Sequence, residues 1–192
     1  MRRAEISRKT KETDISVFLD LDGGDVNVDT GIGFFDHMLT AFAVHGGFGV
    51  KITAKGDLNV DGHHTVEDTG IVLGQAFAKA LGDKSGIERF ASFYVPMDEA
   101  LAFASADISG RAFLAFDADF EQSRCGDYDT CLTVEFMRAF VNNAQITLHI
   151  KSEYGENAHH VTEAIFKAVA HTLRLAVKPR SSGDVLSTKG VL

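Results

Sequence analysis

The residues best equipped for chemistry fall in two stretches with one spacing, His63-His64-Thr65-Val66-Glu67 and His159-His160-Val161-Thr162-Glu163. A lone histidine is more often a satisfied buried side chain than a metal ligand. Two adjacent pairs, each followed at the same distance by a glutamate, point instead to metal binding. Each HHxxE opens an apolar run with helical rhythm: Ile71, Leu73, Phe77 and Leu81 after the first, and Ile165, Phe166, Val169 and Leu173 after the second. Each therefore reads as the first turn of a helix. At about 100° per residue the glutamate lies over the first histidine of its pair and close to the second, while the two rings point in different directions. Adjacent histidines cannot comfortably grip one ion, so each pair serves two, and the arrangement reads as a duplicated, symmetric dinuclear site. Every ion then needs ligands from both halves of the chain. One compact half does not obviously reach, and neighbouring subunits are a second source of ligands.

Sliding one half of the sequence along the other places His37-Met38-Leu39-Thr40-Ala41-Phe42 over Glu135-Phe136-Met137-Arg138-Ala139-Phe140, with nearly equal intervals to the two histidine pairs. Internal duplication accounts for this. The metal candidates are thus His37, His63, His64, Glu67, Glu135, His159, His160 and Glu163. Imidazole mixed with carboxylate, without thiolate, suits Mn, Fe, Co, Ni or Zn. Arg89, Arg111, Lys167, Ser187 and Lys189 are candidates for holding a phosphate. In Ser109-Gly110-Arg111 the glycine lets backbone approach an anion closely. His45 is either a core histidine or a substrate contact. Met97-Asp98-Glu99 is either a turn or part of a site, and Glu12 reads locally as a surface charge.

The elements that must position these groups follow from the pattern. Residues 5–20 alternate weakly and run into the turn Asp22-Gly23-Gly24-Asp25, then a short strand through Val28. Helical spacing predicts a helix over 34–44 stopped by Gly46-Gly47, a strand over 50–58 and the first HHxxE helix to about Gly82. The order recurs, with strands at 89–95, 100–108 and 112–116, a helix at 133–140, a strand at 146–153 and the second HHxxE helix to about Val177. The fold class expected is α+β: two duplicated half-domains, each a mixed four-stranded sheet with two helices on one face. The divisions expected are 1–84 and 85–178 for the two repeats and 179–192 for a mobile, anion-binding tail.

With 45% hydrophobic and 24% charged residues, the 192-residue chain suits one globular domain or two fused halves. A net charge of -8 argues against nucleic acid or an anionic membrane as partner. No apolar run is long enough to span a bilayer, and the Met-Arg-Arg start lacks the apolar core of a signal peptide. Cys125 and Cys131 form neither a CxxC nor a disulfide framework, so a reducing cytoplasm is the expected location.

Together these residues resemble a known family. Phe34-Phe35-Asp36-His37-Met38-Leu39, Gly56-Asp57 through Asp68, Ser109-Gly110-Arg111, His159-His160 through Lys167, and Ser187-Thr188-Lys189-Gly190 are similar, in order and over nearly the whole chain, to imidazoleglycerol-phosphate dehydratase. The resemblance implies dehydration of imidazole glycerol phosphate to imidazole acetol phosphate in histidine biosynthesis, by a monofunctional enzyme. It implies two manganese ions per active site, four helices packed between two sheets, and a homo-oligomer of twenty-four copies built from trimers with sites shared between subunits. It assigns the eight metal candidates as ligands, and Glu12, His45, Arg89, Arg111, Lys167, Ser187 and Lys189 as substrate contacts. Many members have His where this chain has Glu135, and a carboxylate is an acceptable donor to manganese. An imidazolate held between two cations can expel the side-chain hydroxyl through a diazafulvene-like intermediate. The proton-handling residue is then Glu12 or Glu163, assisted by His45, with Glu12 preferred because a metal-bound carboxylate is a weaker base. Two other readings compete: a structural or metal-storing oligomer clamped by its ions, and a dinuclear hydrolase acting on phosphorylated substrates.

Overall fold

A computed structural model describes residues 2–190, so Met1 and the last two residues of the expected tail lie outside it. The first half comprises β1 (Arg3–Lys9), β2 (Thr13–Asp20), β3 (Val26–Asp29), α1 (Gly33–Gly46), β4 (Gly49–Gly56) and α2 (His63–Leu81). The second comprises β5 (Phe90–Met97), β6 (Ala100–Asp107), β7 (Phe113–Asp117), a small hairpin of β8 (Arg124–Cys125) and β9 (Tyr128–Asp129), then α3 (Leu132–Ala144), β10 (Thr147–Tyr154) and α4 (Ala158–Ala176). The sheets have equivalent orders, β1-β2-β4-β3 and β5-β6-β10-β7. In each, the third strand of the half runs parallel to its neighbour while the other pairs are antiparallel. The duplicated α+β architecture is the one expected from the sequence.

Two features depart from the strand pattern read in the sequence. The alternation across residues 5–20 belongs to two strands, because Thr10 Oγ1 accepts hydrogen bonds from the amides of Glu12 and Thr13 (3.1 and 3.0 Å) and turns the chain without glycine or proline. The β8–β9 hairpin has no counterpart in the first half. It drives the fully buried Tyr128 ring against Phe34 and Phe35, at 5.4 and 5.9 Å between centroids.

Both sheets turn one face inward. Ile15, Val17 and Leu19 of β2 and Val50, Ile52 and Ala54 of β4 are buried at alternate positions, as the two-residue period requires. The inward residues of β6 are Ala100, Ala102, Ala104 and Ala106, so α4 sits close enough for Thr172 Oγ1 to donate to the Ala104 carbonyl at 3.1 Å. The helices pack crosswise between halves, α1 against α4 and α2 against α3. Phe136 of α3 joins Phe35 of α1 and Phe166 of α4, both at 5.3 Å, and Phe140 joins Phe77 of α2 at 5.5 Å. One core therefore serves both halves. No helix among the described residues is long and apolar enough to cross a membrane.

Gly70 and Gly74, one turn apart on α2, form the seat for α3. A Cβ on Gly74 would stand 2.5 Å from the Phe140 carbonyl oxygen and 2.8 Å from Asn143 Cβ; one on Gly70 would stand 2.7 Å from the Phe136 oxygen. Alanine is ordinarily favoured over glycine inside a helix by about 1 kcal/mol. Here Gly74→Ala is expected to destabilise the protein by about 1–3 kcal/mol, the usual effect of overpacking. Urea titration of the two proteins checks this; an unchanged or higher midpoint would mean that the two helices separate freely.

Candidate active site

The crosswise packing sets the chemistry. Helices α1 and α4 lie side by side and run the same way: His37 meets Glu163, and eight residues further along each helix His45 meets His171. His159, Glu163, Lys167 and His171 follow one another at four-residue intervals and share one face of α4. Glu163, almost completely buried, is the node. His37 Nε2 (3.3 Å) and His159 Nε2 (3.2 Å) donate to its Oε2, and Lys167 Nζ (2.6 Å) donates to Oε1. Burial pushes the Glu163 carboxyl up, but the Lys167 hydrogen bond and charge, then His37, outweigh this and hold it below its ordinary range. It is a carboxylate.

His37, His159 and Glu163 each offer a donor atom, and these lie within 4.8 Å of one another. Two imidazoles and a carboxylate are a hard-to-borderline set suited to a divalent transition ion. It is the one such group among the described residues. Its duplicate is present in sequence order but open in geometry. His63 Nε2 stands 3.7 Å from Glu67 Oε2 on α2, while Glu135 of α3 is held by Arg138 on its own helix. Position for position, Lys167 on α4 corresponds to Ile71 on α2. The metal-type residues are therefore duplicated and the cation beside them is not.

The remaining histidine of each pair points away from its neighbour. The His63 and His64 rings are 6.2 Å apart at 87°, and those of His159 and His160 are 6.0 Å apart at 76°. Each outlying ring is held at Nδ1 by a carboxylate. Asp57, just past β4, holds His64 at 3.1 Å, and Glu99, in the β5–β6 turn, holds His160 at 2.7 Å. These bonds raise both histidines above their ordinary values. The His160 bond in turn brings Glu99 down to about 2, aided by the Asn157 amide. A carboxylate on Nδ1 fixes the ring and leaves Nε2 for a metal, the usual support of a ligating histidine. Glu12, in the β1–β2 turn, lies close enough for its charge to act on His64.

The phosphate-type residues gather elsewhere. Arg89, Arg111, Ser187 and Lys189, with Arg180, line a cavity of about 660 Å³ between the second sheet and the C-terminal segment. Arg89 already forks onto Asp107 (2.7 and 3.2 Å) and donates to the Leu186 carbonyl (2.6 Å), which ties the segment down. The Arg111 side chain is 70% exposed and 3.8 Å from Asp107, free to meet a ligand. A larger cavity, about 830 Å³, opens beside His37 and His159 under the β8–β9 hairpin. The two cavities share no residue: a single chain keeps Arg89, Arg111, Ser187 and Lys189 apart from the metal-type groups, while Lys167, also expected at the phosphate, sits on Glu163 instead.

Sequence reasoning singled out neither Asp57 as an individual residue nor Arg180 and His171, and left Glu99 undecided. His171 had a signal, since it continues the four-residue series from His159. Asp57 and Glu99 had none of their own, because only folding brings them to a histidine. If the outlying histidines ligate a divalent ion, Glu99→Gln and Asp57→Asn should each weaken binding of manganese, used as the probe ion, by about 10- to 100-fold with no loss of helix content. Competition against a metallochromic chelator measures this; affinities equal to that of the unmutated protein would mean that these carboxylates only shape turns.

A model of the imidazoleglycerol-phosphate dehydratase family matches residues 30–173. The imidazoleglycerol-phosphate dehydratase of Gluconobacter oxydans is 58% identical over all of this chain and 98% of its own length. That of Thermoanaerobacter pseudethanolicus is 56% identical over the full length of both. The crystal structure of the Staphylococcus aureus dehydratase is similar with a TM-score of 0.85 and 40% identity, covering 92% of this chain and 99% of its own. The Pyrococcus furiosus structure gives 0.85 and 41%, covering 97% and 100%. With both HHxxE stretches, His37 and Glu135 all inside the matched span, the chain belongs to the imidazoleglycerol-phosphate dehydratase family.

Proposed function

We infer that this chain is a hydro-lyase that dehydrates imidazole glycerol phosphate to imidazole acetol phosphate, a step of histidine biosynthesis. The observation that carries the reading is the family match together with the Glu163 node, where imidazoles, a carboxylate and a lysine converge. We further propose two manganese ions per site, held by His37, His63, His64, Glu67, Glu135, His159, His160 and Glu163. The donor set fits: imidazole and carboxylate without thiolate, with carboxylates already orienting His64 and His160. Such ions supply Lewis acidity that stabilises negative charge on the substrate's imidazole ring.

The chain's own residues do the rest. Arg111, Ser187 and Lys189 bind the phosphate, the guanidinium by its two-pronged fork. Arg89, bonded through Nε, Nη1 and Nη2 to Asp107 and the Leu186 carbonyl, holds the C-terminal segment over that phosphate. His45 and Lys167 meet the glycerol part. The proton to be removed sits on a carbon with no carbonyl beside it, so the ring must relay the electron pair that expels the neighbouring hydroxyl. Glu12 takes that proton, because Glu163 is buried, hydrogen-bonded on both oxygens and committed to its histidines. The resulting enol becomes the ketone by proton transfer.

We also propose a homo-oligomer of twenty-four copies built from trimers, in which one copy supplies the metal groups and another the phosphate groups. Three observations support it. The two sets lie apart within one chain, the outlying histidines aim away from their partners, and Phe90, Tyr94 and Phe113 stand more than half exposed. Two free thiols, Cys125 and Cys131, suit a cytoplasmic location.

Turnover of imidazole glycerol phosphate by the manganese-loaded protein, followed by formation of the ketone, tests the activity. A mere clamp gives no product, and a hydrolase releases inorganic phosphate instead. Arg111→Lys should raise KM by about tenfold or more, since a point charge cannot replace the fork, while metal content stays constant. An unchanged KM would remove Arg111 from the phosphate site.

A further inference from the structure

His45 and His171 form a pair that no role described so far uses fully. His45 Nδ1 and His171 Nε2 are 3.2 Å apart, with ring centroids at 5.2 Å and planes at 62°. On its other side the His171 ring lies on Phe93 of β5, at 4.5 Å and 17°, so it is clamped between a strand and α1. The pair falls two helical turns beyond His37 and Glu163 on the same faces of α1 and α4. His45 is close enough to Lys167 and Glu163 to respond to both charges.

The duplicated helix pair carries a bond at the same level. Eight residues beyond Glu135 and Glu67, Asn143 and Gln75 occupy the equivalent places on α3 and α2, and Gln75 Nε2 donates to Asn143 Oδ1 at 3.2 Å. Both helix pairs are thus bridged by a side-chain hydrogen bond at one level. Between α2 and α3, where no lysine stands at the place of Lys167, the bridge is made of amides, which do not titrate. Between α1 and α4, beside Lys167, it is made of imidazoles, and a bond between two imidazoles requires one to donate and the other to accept. Burial, then the Lys167 charge, holds His45 below its ordinary value, and burial, then His45, does the same for His171. Both effects favour neutral imidazoles, so one ring's N–H lies in the bond and the other ring's nitrogen accepts it.

We propose that His171 is a positioning residue: its Nε2 occupies Nδ1 of His45, fixing that ring's tautomer and orientation so that Nε2 of His45 faces the substrate. This rests on the placement of His45 at the substrate argued above. The group bonded to the far nitrogen of a working histidine decides which of its nitrogens carries the proton, and loss of such a partner misplaces the ring without removing it.

The test uses the full-length, manganese-loaded protein with imidazole glycerol phosphate as the probe. His171→Phe keeps a ring against Phe93 and abolishes the bond; His171→Leu does so without an aromatic ring, should phenylalanine prevent folding. His171→Gln supplies an amide at the place that Gln75 occupies in the α2–α3 pair. The bond-less variant should lose about tenfold in kcat/KM, the worth of one hydrogen bond. The loss should fall on the same parameter, kcat or KM, that His45→Ala changes. His171→Gln should stay within about threefold of wild type, with melting temperature and metal content unchanged throughout. In the His45→Ala background, His171→Phe should cost nothing more, the signature of a residue acting through another. Equal losses in the phenylalanine and glutamine variants, no loss in either, or a loss that persists without His45 would overturn the proposal. If His45→Ala itself has no kinetic effect while its neighbour Lys167→Ala does, the placement of His45 at the substrate is what fails, and the role of His171 falls with it.

Discussion

Everything in this molecule depends on helices exchanged between two halves. α1 packs on α4 and α3 on α2, so neither half owns a donor set. His37 comes from the first half, His159 and Glu163 from the second. Their meeting is fixed by close backbone approach at two places: the alanine row of β6 beneath α4, and the Gly70–Gly74 groove that seats α3. Small residues there are not weak packing. They let rigid elements come near enough to set side-chain positions to within a hydrogen bond.

The duplication is kept for one task and broken for another. HHxxE, and the carboxylates that hold its outlying rings, occur in both halves, as a pair of equivalent ions would require. The orienting carboxylates nevertheless come from different places: Asp57 follows β4, whereas Glu99 sits in the β5–β6 turn. Lys167 stands opposite Ile71, His37 opposite Glu135, and the imidazole bridge opposite the amide bridge. These differences run along the shared face of α1 and α4, from His37 to His45 and His171. A molecule with different groups at its two ends could not be read by two identical surfaces, and the lysine and the imidazole bridge supply the difference.

Much of the fold was legible in the sequence because duplicated patterns reinforce each other. HHxxE marked both long helices, and the alignment of His37 with Glu135 marked the other two. The β1–β2 hairpin escaped because its turn is made by a threonine hydroxyl, which leaves the alternation almost unbroken. The β8–β9 hairpin escaped because two-residue strands carry no period. In the site, side chains one helical turn apart were legible, whereas groups joined only by tertiary packing were not. Glu99 lies 61 residues from His160 and His45 lies 126 from His171, and no local pattern spans such intervals. Nor does sequence show that Arg89 is already spoken for by Asp107.

The exchanged helices also bear on ancestry. Because the contacts that build each donor set run between halves, a half-length forerunner could have made them only by pairing two copies about a two-fold axis. In such a dimer any substitution appears twice, and a lysine at the place of Lys167 would enter both sites together. Joining two such copies through the segment between Leu81 and Phe90 would end that obligation. Each position would become two, free to drift apart, and a symmetric arrangement could acquire a head and a tail.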